Sequence, residues 1–326
     1  MTEDEQKAWS AYTSQAREIT DNFQREIEGR EMPEILYHYT NDVGLRGILE
    51  SGKLWLTDVF HMNDPSEARY GFQVFMDVLT NAVAARPELK NFSELLRRDN
   101  EQREAESLKL SLLYSCSFSM EGDDLGQWRA YADDGRGFAL GFHKQSLKDA
   151  FTRIVSTTEE NWPMEDFLTF PVRYGDKKLK ALFAELVDAM LKHNDWLQQN
   201  LSQSDFETGR EPIMLRLDAI WRAKELSLFF KHTAYENERE YRFLFQHFYN
   251  QSGNPSGLKW RSRPYEMVKY LEFDWRSGCP DALRVIRIGP SADQDKAKRF
   301  VRECERMFKL ASVTIERSEI PYRRVD

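Results

Sequence analysis

The chain has 326 residues, 41% of them hydrophobic and 31% charged, enough for one large domain or two ordinary ones with a sizeable core. Eight Trp, thirteen Tyr and twenty-one Phe exclude a disordered chain, because that much apolar area offsets the entropy of ordering. A formal net charge of −8 argues against binding nucleic acid by bulk electrostatics, which needs a basic footprint. The three cysteines, Cys116, Cys279 and Cys304, are too few and too far apart for a disulfide framework or a cysteine-rich zinc site. The N-terminus lacks a signal-peptide pattern, and no apolar run approaches the ~18 residues of a membrane span. The expected compartment is the cytoplasm.

Trp9, Tyr12, Ala16, Ile19, Phe23 and Ile27 recur at spacings of three and four and predict an N-terminal amphipathic helix over residues 1–30. A short strand over Ile35 to Tyr39 follows, then a helix over Val43 to Glu50, capped by the Thr40-Asn41-Asp42 side chains and stopped by Gly52. Leu54 to Leu56 reads as a strand. A helix from about Pro65 to Ala85 and a charged helical arm from Glu88 to about Lys109 come next. Leu110 to Phe118 is the clearest central strand. Then come a helix over Asp124 to Tyr131 and a strand over Gly137 to Phe142.

A strand over Leu168 to Tyr174 leads into long helices over Lys177 to Gln199 and Glu211 to Lys231. Strands are predicted over Arg239 to Gln246, Met267 to Phe273 and Leu283 to Ile288. A helix over Ala292 to Leu310 and a short strand at Val313 to Ile315 close the chain. Strands and helices mix without strict alternation, which predicts an α+β fold. Residues 31–326 read as a single domain with helical insertions near 65–109 and 177–232.

Several constellations could carry chemistry. In Tyr37-His38-Tyr39-Thr40, alternation places His38 and Thr40 on one strand face. His38 is either a ligand-binding group or a core histidine satisfied by a backbone carbonyl. Ser115, Ser117 and Ser119 share a strand face and could hold a ligand or a catalytic carboxylate. Trp128 and Tyr131 sit at helical spacing, as core packing or as a platform for a planar heterocycle.

Glu238, Glu240 and Arg242 alternate on one strand face, more charge than a core tolerates unpaired. His61, Asp64 and Glu67, with His38, are the alternative: a metal-dependent hydrolase or nuclease. The residue before Pro65 is pushed out of the helical region, which favours a turn at Asp64 instead. Basic clusters at 259–263 and at Arg323-Arg324 read as solvated surface.

YHYT, HMNDPSE, SFS with WRAYADDGRGFALGF, KHTAYENEREYR, IRIGP and IPYR together resemble a bacterial family, domain of unknown function 2971, over about Leu36 to Arg324. More distantly, a His on a first strand, an aromatic segment and a Glu on a late strand look like the His-Tyr-Glu branch of the ADP-ribosyltransferase superfamily. That resemblance implies a split core of mixed and antiparallel small sheets, NAD as substrate and no metal. It implies transfer of ADP-ribose to a macromolecule or hydrolysis of NAD, in a bacterial toxin or phage-defence effector. By position, Glu240 and His38 would be catalytic. Thr40, Ser117, Ser119, Glu238, Arg242 and either Tyr131 or Trp128 would line the nucleotide. A non-catalytic nucleotide sensor is the third reading.

Overall fold

The computed structural model describes residues 2–30, 32–61, 66–86, 89–107, 113–152, 165–247, 257–310 and 313–322. Thr2 caps α1 (Glu3–Glu28) with its side chain. β1 (Ile35–Thr40), α2 (Asp42–Ser51) and β2 (Lys53–Asp58) follow. Asn41 caps α2 by accepting from the Gly44 N–H, and Gly52 ends it in the left-handed conformation that a missing Cβ permits. α3 (Ser66–Ala84) and α4 (Lys90–Ser107) precede β3 (Leu113–Ser119), α5 (Leu125–Tyr131), β4 (Phe138–His143) and α6 (Lys144–Thr152).

The predicted strand over Leu168 to Tyr174 divides into β5 (Glu165–Pro171) and β6 (Arg173–Tyr174). Then come α7 (Lys177–Asn200), α8 (Gln203–Thr208), α9 (Arg210–Ser227), β7 (Phe230–Lys231) and β8 (Glu240–His247). β9 (Lys259–Arg263), β10 (Glu266–Asp274), β11 (Leu283–Ile288), α10 (Gln294–Met307) and β12 (Thr314–Arg317) complete the order. The fold is α+β, as the unalternating order of elements predicts. Among the described residues no helix is long and apolar enough to cross a membrane.

The chain divides into two compact units. The first gathers residues 1–30, 63–110 and 172–234, so the N-terminal helix and both helical insertions belong to one unit. Its helices pack as a bundle in which Gly71 of α3 lets α9 approach: a Cβ there would come within 2.2 Å of Ser227 side-chain atoms. α4 is not an exposed arm. Its Phe92 and Leu96 are buried, and its Asp99 accepts from the buried Arg216 of α9 at 2.6 Å.

The second unit holds a ten-stranded sheet, against the expectation of several small sheets. Its pairs are antiparallel except β11–β12. One face carries the main core, where Leu36, Tyr114, Cys116, Phe118, Phe142 and Phe243 meet side chains of α2, α6 and α10. On the other face Trp128 and Ala132 pack against Tyr39 and Ala139.

β3 is a fork. One edge pairs with β8 along its whole length, Leu113 opposite Gln246 through to Ser119 opposite Glu240. The other edge pairs with β1 at Ser119 and with β2 at Ser115 and Tyr114. Two arms of the sheet therefore join β3 on one side, at opposite ends.

Candidate functional site

Register decides which side chains can meet. Tyr37, Ser119 and Glu240 are successive partners across β1, β3 and β8, so they share a face, and Ser117 and Arg242 join them as the next pair. On that face Glu240 forms a buried ion pair with Arg242. Nε donates to Oε1 at 2.6 Å and Nη2 to Oε2 at 3.0 Å, a two-point grip on the carboxylate. Ser117 Oγ also donates to Oε1, at 2.6 Å. Glu240 is 4% exposed and Arg242 2%.

Glu238 does not share the strand with Glu240. It ends a 3-10 segment over Thr233–Glu238, and Arg239 at φ 44° turns the chain before β8 begins. That left-handed residue breaks the period of two on which the expectation rested. Glu238 still reaches the site: its backbone oxygen accepts from Ser119 Oγ at 2.9 Å and its Oε1 from Tyr131 Oη at 3.2 Å.

Tyr131 is 39% exposed. Trp128 has no exposed surface; its ring meets Tyr39 edge-on at 4.8 Å and its Nε1 donates to Asp123 at 2.7 Å. A fully buried ring offers no face for stacking, so of the two aromatics Tyr131 alone can serve. Asp123 also accepts from Ser318 Oγ and the Glu319 N–H, tying the C-terminal segment to the loop that starts α5. No sequence motif marked Asp123 as an anchor.

His38 is displaced from the predicted cleft. Because Tyr37 shares a face with Ser119 and Glu240, His38 and Thr40 turn to the opposite face. There the His38 ring meets Phe118 edge-on at 5.7 Å. Its Nδ1–H donates to the Ser117 carbonyl at 3.2 Å, inside the fork of β3. A carbonyl can only accept, so in the neutral ring Nε2 is the acceptor. Burial lowers the His38 pKa, opposed in part by the Ser117 carbonyl. The core-histidine reading therefore describes its hydrogen bonding, and it joins the site only through the backbone of Ser117.

The metal alternative finds little to stand on. His61 Nδ1 is engaged by the fully buried Asp58 at 2.8 Å. Asp64 and the side chain of Glu67 lie outside the described residues, as does Arg323-Arg324. Among the described residues no three His, Cys, Asp or Glu side chains are grouped to hold an ion. The 259–263 cluster forms the edge strand β9, with Lys259, Trp260 and Ser262 exposed and Arg261 and Arg263 half-buried.

Residues 127–243 match the model of a family described as a protein of unknown function, DUF2971. The matched span runs from α5 to β8. It therefore takes in Tyr131, Glu238, Glu240 and Arg242, and leaves out His38, Ser117 and Ser119. It is shorter at both ends than the resemblance drawn from motifs over Leu36 to Arg324. No curated protein and no solved structure matches the chain. No match carries the ADP-ribosyltransferase likeness.

Proposed function

We propose that the second unit binds NAD and acts as an enzyme of the ADP-ribosyl-transfer type, with Glu240 as its catalytic carboxylate. The observation that carries this reading is the Ser117–Glu240–Arg242 cluster: a carboxylate held by three donors on a strand, with a solvent-open tyrosine nearby. Orientation of this kind is what stabilising a developing positive charge requires, since the group needs no reorganisation at the moment of reaction.

The step needs NAD and one nucleophile, either water or a group of the macromolecular acceptor. The bond between nicotinamide and ribose C1′ breaks, nicotinamide leaves as a neutral base with the bonding pair, and the ribosyl cation adds a nucleophile that loses its proton. Glu240 polarises the ribose hydroxyl beside C1′ and stabilises the cation, while Tyr131 offers a ring on which nicotinamide stacks. His38 acts as a positioning residue that holds the Ser117 carbonyl, and so the strand bearing the Glu240 partner. A toxin or phage-defence effector acting on a macromolecule is the setting this activity suits.

A binding-only module is the second reading, favoured by the near-complete burial of Glu240 and its saturation by Arg242 and Ser117. Incubation with labelled NAD and bacterial lysate separates the two. The enzyme reading expects labelled product and free nicotinamide, both lost in Glu240→Gln, a substitution that keeps the shape of the side chain. Saturable NAD binding without turnover in wild type and variant alike would replace the enzyme reading with the binding one.

A further inference from the structure

Arg261, on β9, is not placed like a surface arginine. Its Nη2 donates to Thr57 Oγ1 at 3.1 Å, and its guanidinium lies 5.0 Å from the Trp55 ring centroid. To reach Thr57 on β2 it crosses β10, which lies between them in the sheet. Its Nε is buried without a hydrogen-bond partner, and no carboxylate pairs with it among the described residues. Burial pushes its pKa down, and the nearby Arg263 pushes the same way.

Thr57 is the register partner of Ser115 on β3. Ser115 is 3% exposed, and its Oγ is likewise buried without a partner among the described residues. Partners on adjacent strands stand about 5 Å apart at Cβ, so the guanidinium held at Thr57 ends about one strand spacing from Ser115. A half-buried guanidinium with a buried Nε, a buried hydroxyl and a second hydroxyl thus lie within about one strand spacing of one another, with the Arg261 Nε–H and the Ser115 O–H unpartnered. Native proteins rarely bury such donors unpaired, and a guanidinium fork beside hydroxyls matches the oxygens of a phosphate.

We infer that Arg261, Thr57 and Ser115 form a phosphate-binding position for one phosphate of a diphosphate ester. Arg261 Nε–H and Ser115 Oγ–H donate to its oxygens, and the Thr57 hydroxyl, already accepting from Arg261, donates its own proton. Ser115 lies two residues along β3 from Ser117, about 7 Å on the same face. One ribose ring separates a 5′-phosphate from C1′, a span of the same order. The assignment of the ester to a nicotinamide dinucleotide rests on the proposed function; the phosphate position does not.

The test is calorimetric titration of the full-length protein with inorganic diphosphate and with ADP-ribose, on wild type, Arg261→Met, Arg261→Lys and Ser115→Ala. Both probes are expected to bind wild type, and Arg261→Met and Ser115→Ala to weaken each at least tenfold. Arg261→Lys, which keeps the charge and loses the fork, is expected to fall between. Ser115→Ala also guards against misfolding. It removes an unpartnered buried hydroxyl, so the ligand-free protein should unfold at an unchanged or higher temperature while the ligand-induced rise shrinks.

ADP-ribose binding tenfold tighter than diphosphate assigns the nucleotide, and equal affinities assign the free anion. No binding to wild type, or equal binding to Arg261→Met and Ser115→Ala, overturns the inference. Diphosphate held through Arg261 by a protein that releases no nicotinamide removes the NAD reading alone. Nicotinamide release with unchanged KM in both variants removes the phosphate position alone.

Discussion

At the residue scale, the pairing of Glu240 with Arg242 sets the largest single energies in the site. Both groups are almost fully out of water, so removing one takes a two-point charged partner from the other where water cannot replace it. Arg242→Met should therefore lower stability by about 3–5 kcal/mol, read as a shift of the urea midpoint at constant slope. Adding Glu240→Gln to it should restore part of that loss, because no net charge then remains buried at the pair. A Glu240→Gln shift of the same sign and size in wild type and in Arg242→Met would show that the pair is not coupled.

His38 makes a pH-dependent claim at the same scale. Its folded-state pKa is lowered from the ordinary value of 6.5 by burial, and that of His193 in the first unit is lowered for the same reason. Where the unfolded chain takes up a proton and the folded one does not, acid favours unfolding. The stabilisation is complete above pH 6.5 and drains away as pH falls below it toward the folded value. His38→Gln should flatten the fall of urea midpoint with pH in that window without abolishing it, since His193 still contributes. An unchanged slope would contradict the lowered His38 pKa.

At the element scale, β1 meets β4 across glycines that leave no room for a side chain. A Cβ on Gly137 would come 2.2 Å from the Thr40 carbonyl oxygen and 2.9 Å from that of Ala132, both of them backbone atoms that cannot swing aside. Gly137→Ala should destabilise by about 1–3 kcal/mol as an overpacking change, with faster amide exchange along the β1–β4 ladder as its signature. Exchange rates equal to wild type would count against this packing.

Elements were legible where the local signal was strong. The cap at Asn41, the stop at Gly52 and the strand Leu283–Ile288 all follow from side-chain chemistry or periodicity. The site was half legible. Ser117 shares a face with Ser119, and Glu240 with Arg242, because strand alternation is a local rule; that the two pairs share one face follows from the β3–β8 register. The position of His38 depends on the register between β1 and β3, a long-range property that a shift of one residue would invert. The turn at Arg239 depends on a backbone angle with no residue-type signal behind it. Arg261 and Thr57 are remote in sequence and meet only across β10.

At the scale of the whole molecule, the two insertions interrupt the sheet in sequence but not in space. β2 pairs with β3 across the first, and β5 pairs with β8 across the second. Asp58 thus lies opposite Tyr114, and Pro171 opposite Tyr241. Closing such long loops costs only slowly more entropy as they lengthen, which lets a helical unit grow out of two strand connections while the sheet keeps its fork.

Glu240, held at that fork by Ser117 and Arg242, is the proposed catalytic carboxylate. The most direct test of that role is the rate of nicotinamide release from NAD by wild type and by Glu240→Gln, with NAD affinity measured on both. Wild type should release nicotinamide, and the variant should lose roughly 10²–10³-fold of that rate while still binding NAD. Release at the same rate from both proteins, or from neither, would contradict that role.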